Sequence, residues 1–193
     1  MRILITILCF ISGILYHAGD RLVYHPDQPL TSRVFVPAPT IVGLHFENVY
    51  IRSRDKTRLH MFLVKQPPER LAEAPTVLFL HGNAGNIGHR LLNAKGMFSK
   101  LAVNLCLLEY RGYGRSDGTP SEEGLYMDAQ AGLDYLSSRS DINPNRIIVF
   151  GRSLGETIYF GHRGGIILAF LFCNSSQFKF RASGFRRLAT FFT

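Results

Sequence analysis

The sequence predicts an α/β fold with an incomplete, mainly parallel sheet and an antiparallel hairpin on its N-terminal side. Three observations lead there. Thr76–Leu80, Asn104–Leu108 and Ile147–Phe150 are continuous apolar runs, the pattern of strands covered on both faces. Helical stretches separate them, and a strand–helix–strand–helix–strand order implies right-handed crossovers and a parallel sheet. Ahead of them, two shorter segments alternate apolar with polar residues, as half-buried strands do.

In chain order, Ile3 to Tyr16 is almost wholly apolar, with Arg2 before it and His17, Asp20 and Arg21 after it. A full span needs about 20 apolar residues, so this run spans a bilayer only if its flanks snorkel. A cleaved signal peptide is the rival reading. The stretch near Ala18 and Gly19 puts Tyr16 or His17 where cleavage prefers a small residue. An uncleaved anchor over residues 1–19 is therefore favoured, and Arg2 against Arg21 does not fix its orientation. Residues 20–45 carry Pro26, Pro29, Pro37 and Pro39 with little periodicity and read as an irregular lead-in.

Val49, Ile51 and Ser53, then Leu59, Met61 and Leu63, flank Asp55-Lys56-Thr57. This predicts a hairpin whose strands each bury one face, closed by Pro67 and Pro68. A helix over His89–Lys100 links the first two buried strands. A second helix begins at Thr119-Pro120-Ser121-Glu122, which supplies an N-cap, a proline at the first helical position and a glutamate at N3. Leu125, Ala129, Leu133 and Leu136 then mark one buried face through about Ser138.

The chemistry is concentrated at strand ends. Ile147–Phe150 runs into Gly151-Arg152-Ser153-Leu154-Gly155. A buried strand ending in Gly-x-Ser-x-Gly reads as a sharp turn that lifts a serine hydroxyl onto the start of a helix. The motif alone is weak; following a strand in an α/β series, it is specific. Thr76–Leu80 runs into His81-Gly82-Asn83-Ala84-Gly85-Asn86-Ile87-Gly88. Such a loop can aim backbone N–H groups at developing negative charge. A plain tight turn is one alternative. A dinucleotide loop with Glu109 on the ribose is another, but glycines at 82, 85 and 88 lack the G-x-G spacing it requires. His81 reads as a loop-packing histidine, and Arg111–Gly118 as a solvated, constrained loop.

The net charge is +8 over 193 residues, of which residues 156–193 supply +4 through Arg163, Lys179, Arg181, Arg186 and Arg187 against Glu156. No basic run or aromatic-basic platform accompanies it, so nucleic acid is not an expected partner. Cys9, Cys106 and Cys173 are scattered, giving neither a disulfide framework nor a metal-ligand spacing. No metal or cofactor is expected.

His81–Arg90, Tyr110–Ser116 and Gly151–Gly155 resemble the alpha/beta-hydrolase domain-containing protein 13 family, over roughly residues 10–155. The resemblance implies an alpha/beta-hydrolase fold in a single-pass type II membrane protein. It implies Ser153 as nucleophile and the N–H groups of Asn83 and Leu154 as oxyanion donors. The expected partners are membrane lipid and an acyl ester or thioester, lipid or acyl-protein.

From Glu156 onward the resemblance is lost. The residues after Ser153 contain no aspartate, one glutamate (Glu156) and one histidine (His162), where the fold needs an acid and then a histidine. Both would sit on or just beyond the elbow's own helix, pointing away from the hydroxyl. The expectations are a truncated, divergent tail over 156–193 and a chain inactive for want of a base. The strand 146–150 is expected to become a sheet edge, with Ile166–Cys173 as its available cover, either an added strand or a short helix. The alternative function is a non-catalytic, membrane-anchored interaction module.

Overall fold

The computed structural model describes Gly19 and residues 23–71, 73–156 and 167–171. The apolar N-terminal run, residues 157–166 (with His162) and residues 172–193 lie outside them. Among the described residues no helix is long and apolar enough to cross a membrane.

The sheet has six strands: β1 (Glu47–Arg52), β2 (Arg58–Val64), β3 (Thr76–Leu80), β4 (Asn104–Leu108), β5 (Ile147–Arg152) and β6 (Ile167–Leu171). Their spatial order is β1-β2-β4-β3-β5-β6. β1 and β2 form the antiparallel hairpin, with Tyr50 opposite His60, and β2 is antiparallel to β4. The remaining pairings are parallel, with Leu78 beside both Cys106 and Val149. The order of the chain is therefore reversed at β3 and β4, which puts β3 between β4 and β5.

The strand ranges follow the apolar runs closely, with two differences. Only β1 shows the alternating burial expected of both hairpin strands; β2 is buried from Leu59 to Val64. The reason is its position. Leu59, Met61 and Leu63 pack into one apolar core and Phe62 and Val64 into a second on the opposite face of the sheet, so both faces of β2 are covered. Nor does β5 form an edge, because β6 pairs with it in parallel, Val149 opposite Leu168. Of the two covers foreseen for β5, the added strand is the one that forms.

Two helices cover the two faces. α1 (Pro68–Leu71) is a single turn; α2 (Leu91–Leu101) and α3 (Glu122–Ser138) carry the packing. α3 sets Leu125, Ala129, Leu133 and Leu136 against Met61, Leu78, Cys106 and Val149. α2 sets Ala94 and Met97 in the other core, with Phe62, Val77, Phe79, Leu105 and Phe150. Consecutive β3 residues thus belong to opposite cores, as side chains alternating along a strand must. The α3 cap lies two residues later than its signature suggests: the Ser121 hydroxyl, not Thr119, accepts the Gly124 N–H at 3.2 Å. Pro120 is buried against Gly112 instead of opening the helix.

The loop after β4 is less solvated than its glycines and arginines imply. Arg111 is buried and donates to Asp128 on α3 and to Asp55 in the hairpin turn, both at 2.7 Å at closest approach. Asp128 is fully buried and also accepts the Arg111 N–H at 2.8 Å. One guanidinium therefore ties three elements together.

His60 on β2 is fully buried between Tyr50 and Phe62, with Nε2 2.6 Å from Asn48 Oδ1. Burial first, then the charges of Arg115 and Arg58, lowers its pKa from 6.5 to about 4. Between those values the unfolded chain binds the proton that the folded chain refuses, so stability is full above 6.5 and falls as pH drops towards 4. The expected loss between pH 7 and pH 5 is about 2 kcal/mol. Urea unfolding of the protein and of His60→Gln at both pH values checks this: the variant should lose much less on acidification.

Candidate active site

The C-terminal ends of β3, β4 and β5 meet at one end of the sheet, and the loops leaving them form the site. β5 carries the chain to Arg152, and Ser153 opens a 3₁₀ turn that runs to Glu156. Ser153 has φ +53° and an exposed side chain. A serine in the left-handed region costs on the order of 1–3 kcal/mol and persists only where its surroundings impose it. Here the surroundings are visible. A Cβ on Gly155 would lie 2.4 Å from the Leu80 carbonyl oxygen, so the turn is pressed onto the end of β3 and admits only glycine. A Cβ on Gly82 would lie 3.7 Å from Ser153 Cβ, so the loop after β3 runs directly beside the nucleophile candidate. The structure brings Ser153, Leu154 and the Gly82-Asn83 peptide into one place. Leu154 is half-buried against the α3-side core.

That loop is held from beneath. His81 is fully buried, its ring packed on Tyr110 and Tyr113 with centroids 4.5 and 5.3 Å away. Its Nδ1 is 2.7 Å from the Gly82 carbonyl oxygen, which can only accept, so Nδ1 carries a proton. Nε2 lies 3.1 Å from Glu109 Oε1, at ion-pair distance but without hydrogen-bond alignment, and neither atom has another hydrogen-bond partner among the described residues. Glu109 Oε2 accepts the Ile87 N–H at 3.1 Å. His81 thus braces the loop as a packing residue, and Glu109, at the end of β4, is its partner.

The loop is clasped from above by the lead-in, a contact that the sequence does not signal. The Asn83 side chain accepts from the His25 N–H at 3.0 Å and the Tyr113 hydroxyl at 2.8 Å, and donates to the Val23 carbonyl. Gly85 N–H donates to the Gln28 carbonyl at 2.6 Å. Asn86 is fully buried; its amide donates to the Ser32 and Phe35 carbonyls at 2.8 and 2.9 Å and its Oδ1 accepts the His89 N–H. His89 Nδ1 in turn accepts the Asn86 N–H, completing a capping box for the 3₁₀ turn Ile87–Arg90. The Asn-x-x-His spacing is the one trace of this arrangement in the sequence. Residues 23–37 therefore form a strap across the loop.

Arg152 and Arg90 add positive charge beside the elbow. Burial first, then repulsion from Arg152, lowers the Arg90 pKa, and its guanidinium donates to the Ala84 carbonyl. The two remaining triad candidates give little geometry. Glu156 ends the 3₁₀ turn, and His162 lies outside the described residues. No group of three or more His, Cys, Asp or Glu among the described residues could hold a metal ion.

The chain matches proteins with this architecture. It is 46% identical over 139 residues to the alpha/beta hydrolase domain-containing protein WAV2 of Arabidopsis thaliana, covering 72% of this chain and 44% of that protein. It is 40% identical over 146 residues to the protein bem46 of Schizosaccharomyces pombe, covering 76% and 48%. The chain thus spans about half the length of the curated relatives it matches. Among solved structures, the esterase Pf2001 of Pyrococcus furiosus superposes with a TM-score of 0.55 at 22% identity, over 70% of this chain and 49% of that one. An alpha-beta hydrolase from Vibrio vulnificus superposes with a TM-score of 0.54 at 28% identity, over 66% and 45%. No family model matches the chain.

Two substitutions test this packing. Gly155→Ala should lower stability by about 1–3 kcal/mol through overpacking against the β3 end, read as a reduced urea midpoint. Asn86→Ala leaves two strap carbonyls without their donor at about 1–3 kcal/mol each where they stay buried. Amide exchange at His25 and Gly85 should then accelerate more than exchange in β3.

Proposed function

We propose that this chain, which belongs to the α/β-hydrolase superfamily, carries the nucleophile and oxyanion half of a site that cleaves an ester or thioester. The observation that carries the reading is the left-handed Ser153, exposed at the end of a buried parallel strand and flush against the loop after β3. In this reading Ser153 Oγ attacks the acyl carbonyl carbon and a base takes its proton. The N–H groups of Asn83 and Leu154 donate to the oxygen that becomes negative. Collapse expels the alcohol or thiol and leaves an acyl-serine, which water cleaves. The Asn83 peptide suits that role because its side chain is fully engaged with Val23, His25 and Tyr113, which fixes the direction of the backbone.

The base that takes this proton is not His81. His81 has one ring nitrogen on the Gly82 carbonyl and the other facing Glu109, so it does not serve Ser153. Loss of a triad serine or histidine costs roughly 10⁶ in turnover in a well-studied protease, with about 10³–10⁴ over water surviving from the oxyanion hole and binding. We read the 193-residue chain as having turnover close to background, and the run Ile3–Tyr16 as a single-pass type II anchor that brings it to lipid or lipidated-protein substrates.

The test pairs the chain with Ser153→Ala. Incubation with an activated acyl ester or a fluorophosphonate should give an adduct that mass spectrometry maps to Ser153 and that the variant lacks, while steady-state rates of the two stay alike. No adduct, an adduct spread over other residues, or one unchanged in the variant would favour the non-catalytic interaction module. A Ser153-dependent turnover within tenfold of about 10 s⁻¹, a typical enzyme value, would overturn the near-background turnover.

A further inference from the structure

The strap presents an apolar face that the site chemistry does not use. Val34 N–H and Phe35 N–H both donate to the Thr31 carbonyl, so residues 31–35 make one helical turn. Leu30 immediately precedes it and Val34 lies on it. Leu30 is 91% exposed, Val34 86% and Phe35 63%, with Val23 at the start of the strap 53% exposed. A groove of about 730 Å³ lies between this turn and the loop after β3, lined by Asp27, Gln28, Pro29, Leu30, Thr31 and Ala84. Ala84 adjoins Asn83 in that loop.

We infer that the turn Leu30–Phe35 rests in the lipid headgroup region, so that the strand ends bearing Ser153 face the bilayer and acyl substrate reaches the site from it. The occupant is a lipid surface because of what precedes the strap. The apolar run Ile3–Tyr16 ends seven residues before Val23, too short a tether to carry the strap far from any bilayer that holds the run. The inference rests on the anchor reading of that run, and the groove's apolar residues suit an acyl chain. Leucine, valine and phenylalanine set beside Arg33 match the composition of segments that lie in the interface plane. The strap's inner side is committed to the loop through Ser32, Phe35 and Gln28, so its outer side can meet lipid without disturbing those bonds.

The chain contains no tryptophan, so one introduced tryptophan is a unique reporter. The full chain is placed in phosphatidylcholine vesicles with brominated acyl chains as Val34→Trp, Ile11→Trp and Asn145→Trp, the last exposed at the opposite end of β5. Val34 is too exposed for its replacement to threaten folding, which far-ultraviolet circular dichroism checks. Val34→Trp should be quenched at least about twofold more than Asn145→Trp, as for a residue held in the interfacial layer. Quenching of Ile11→Trp with none at Val34→Trp would overturn the docking surface and leave the anchor intact. No quenching at either would overturn both. Equal quenching at Val34→Trp and Asn145→Trp would also overturn the inference, since it shows adsorption without orientation.

Discussion

The site depends on one steric contact: the Ser153 turn lies on the C-terminal end of β3 with no room for a side chain at Gly155. A serine does not hold φ +53° by preference. The parallel pairing of β5 with β3, Gly151 opposite Leu80, fixes where β5 must end. The chain must then turn at once or run into the loop that leaves β3. Backbone strain at Ser153 is thus sustained by the register of two buried parallel strands, and it keeps the hydroxyl outside the sheet. The same contact sets the Gly82-Asn83 peptide beside the serine, so the Ser153 turn and the loop after β3 share one mechanical origin.

Around that contact, buried polar groups do what apolar packing cannot: they fix loop direction. His81 and Glu109 sit in the interior at the ends of adjacent strands, and each also engages the backbone of the loop, at Gly82 and Ile87. Arg111 makes a similar three-way junction between β4's exit loop, α3 and the hairpin turn. Removing one partner of such a buried pair typically costs 3–5 kcal/mol, because the other charge is left without compensation. Close packing and directed polar contacts therefore divide the labour, the first holding the sheet and the second holding its loops.

The two kinds of order are unequally readable in sequence. Strands β3, β4 and β5 are legible because burial on both faces demands an unbroken apolar run, and α3 because its buried face repeats every three or four residues. The sharp turn at Ser153 is legible because a buried strand ending in Gly-x-Ser-x-Gly is a short, ordered motif, whereas Asn83 and Leu154 enter only through the family resemblance. β2 is misread as one-faced because its two faces are covered by residues far along the chain, such as Leu125 and Leu133 in one core and Ala94 and Met97 in the other. The α3 cap is misread because Thr119 and Ser121 are both acceptable hydroxyls, and only the packing of Pro120 on Gly112 decides between them. The strap leaves no period at all. It is held by backbone carbonyls, which every residue owns, and by Asn83 and Asn86, whose side chains could bond anywhere.

The strap changes what the residues ahead of the sheet are for. A connector needs only length, but residues 23–37 make three hydrogen bonds with the Asn83 side chain and the Gly85 N–H, two residues on, and two more with Asn86. A loop whose N–H groups must meet a developing charge gains from being fixed before substrate arrives, since reorganisation during the reaction is what preorganised sites avoid. The segment that follows the apolar run is thus the segment that fixes the loop. Any force that displaces the strap is transmitted to Asn83 through direct hydrogen bonds, with no domain movement between them. The lead-in and the loop after β3 are in this way one mechanical unit.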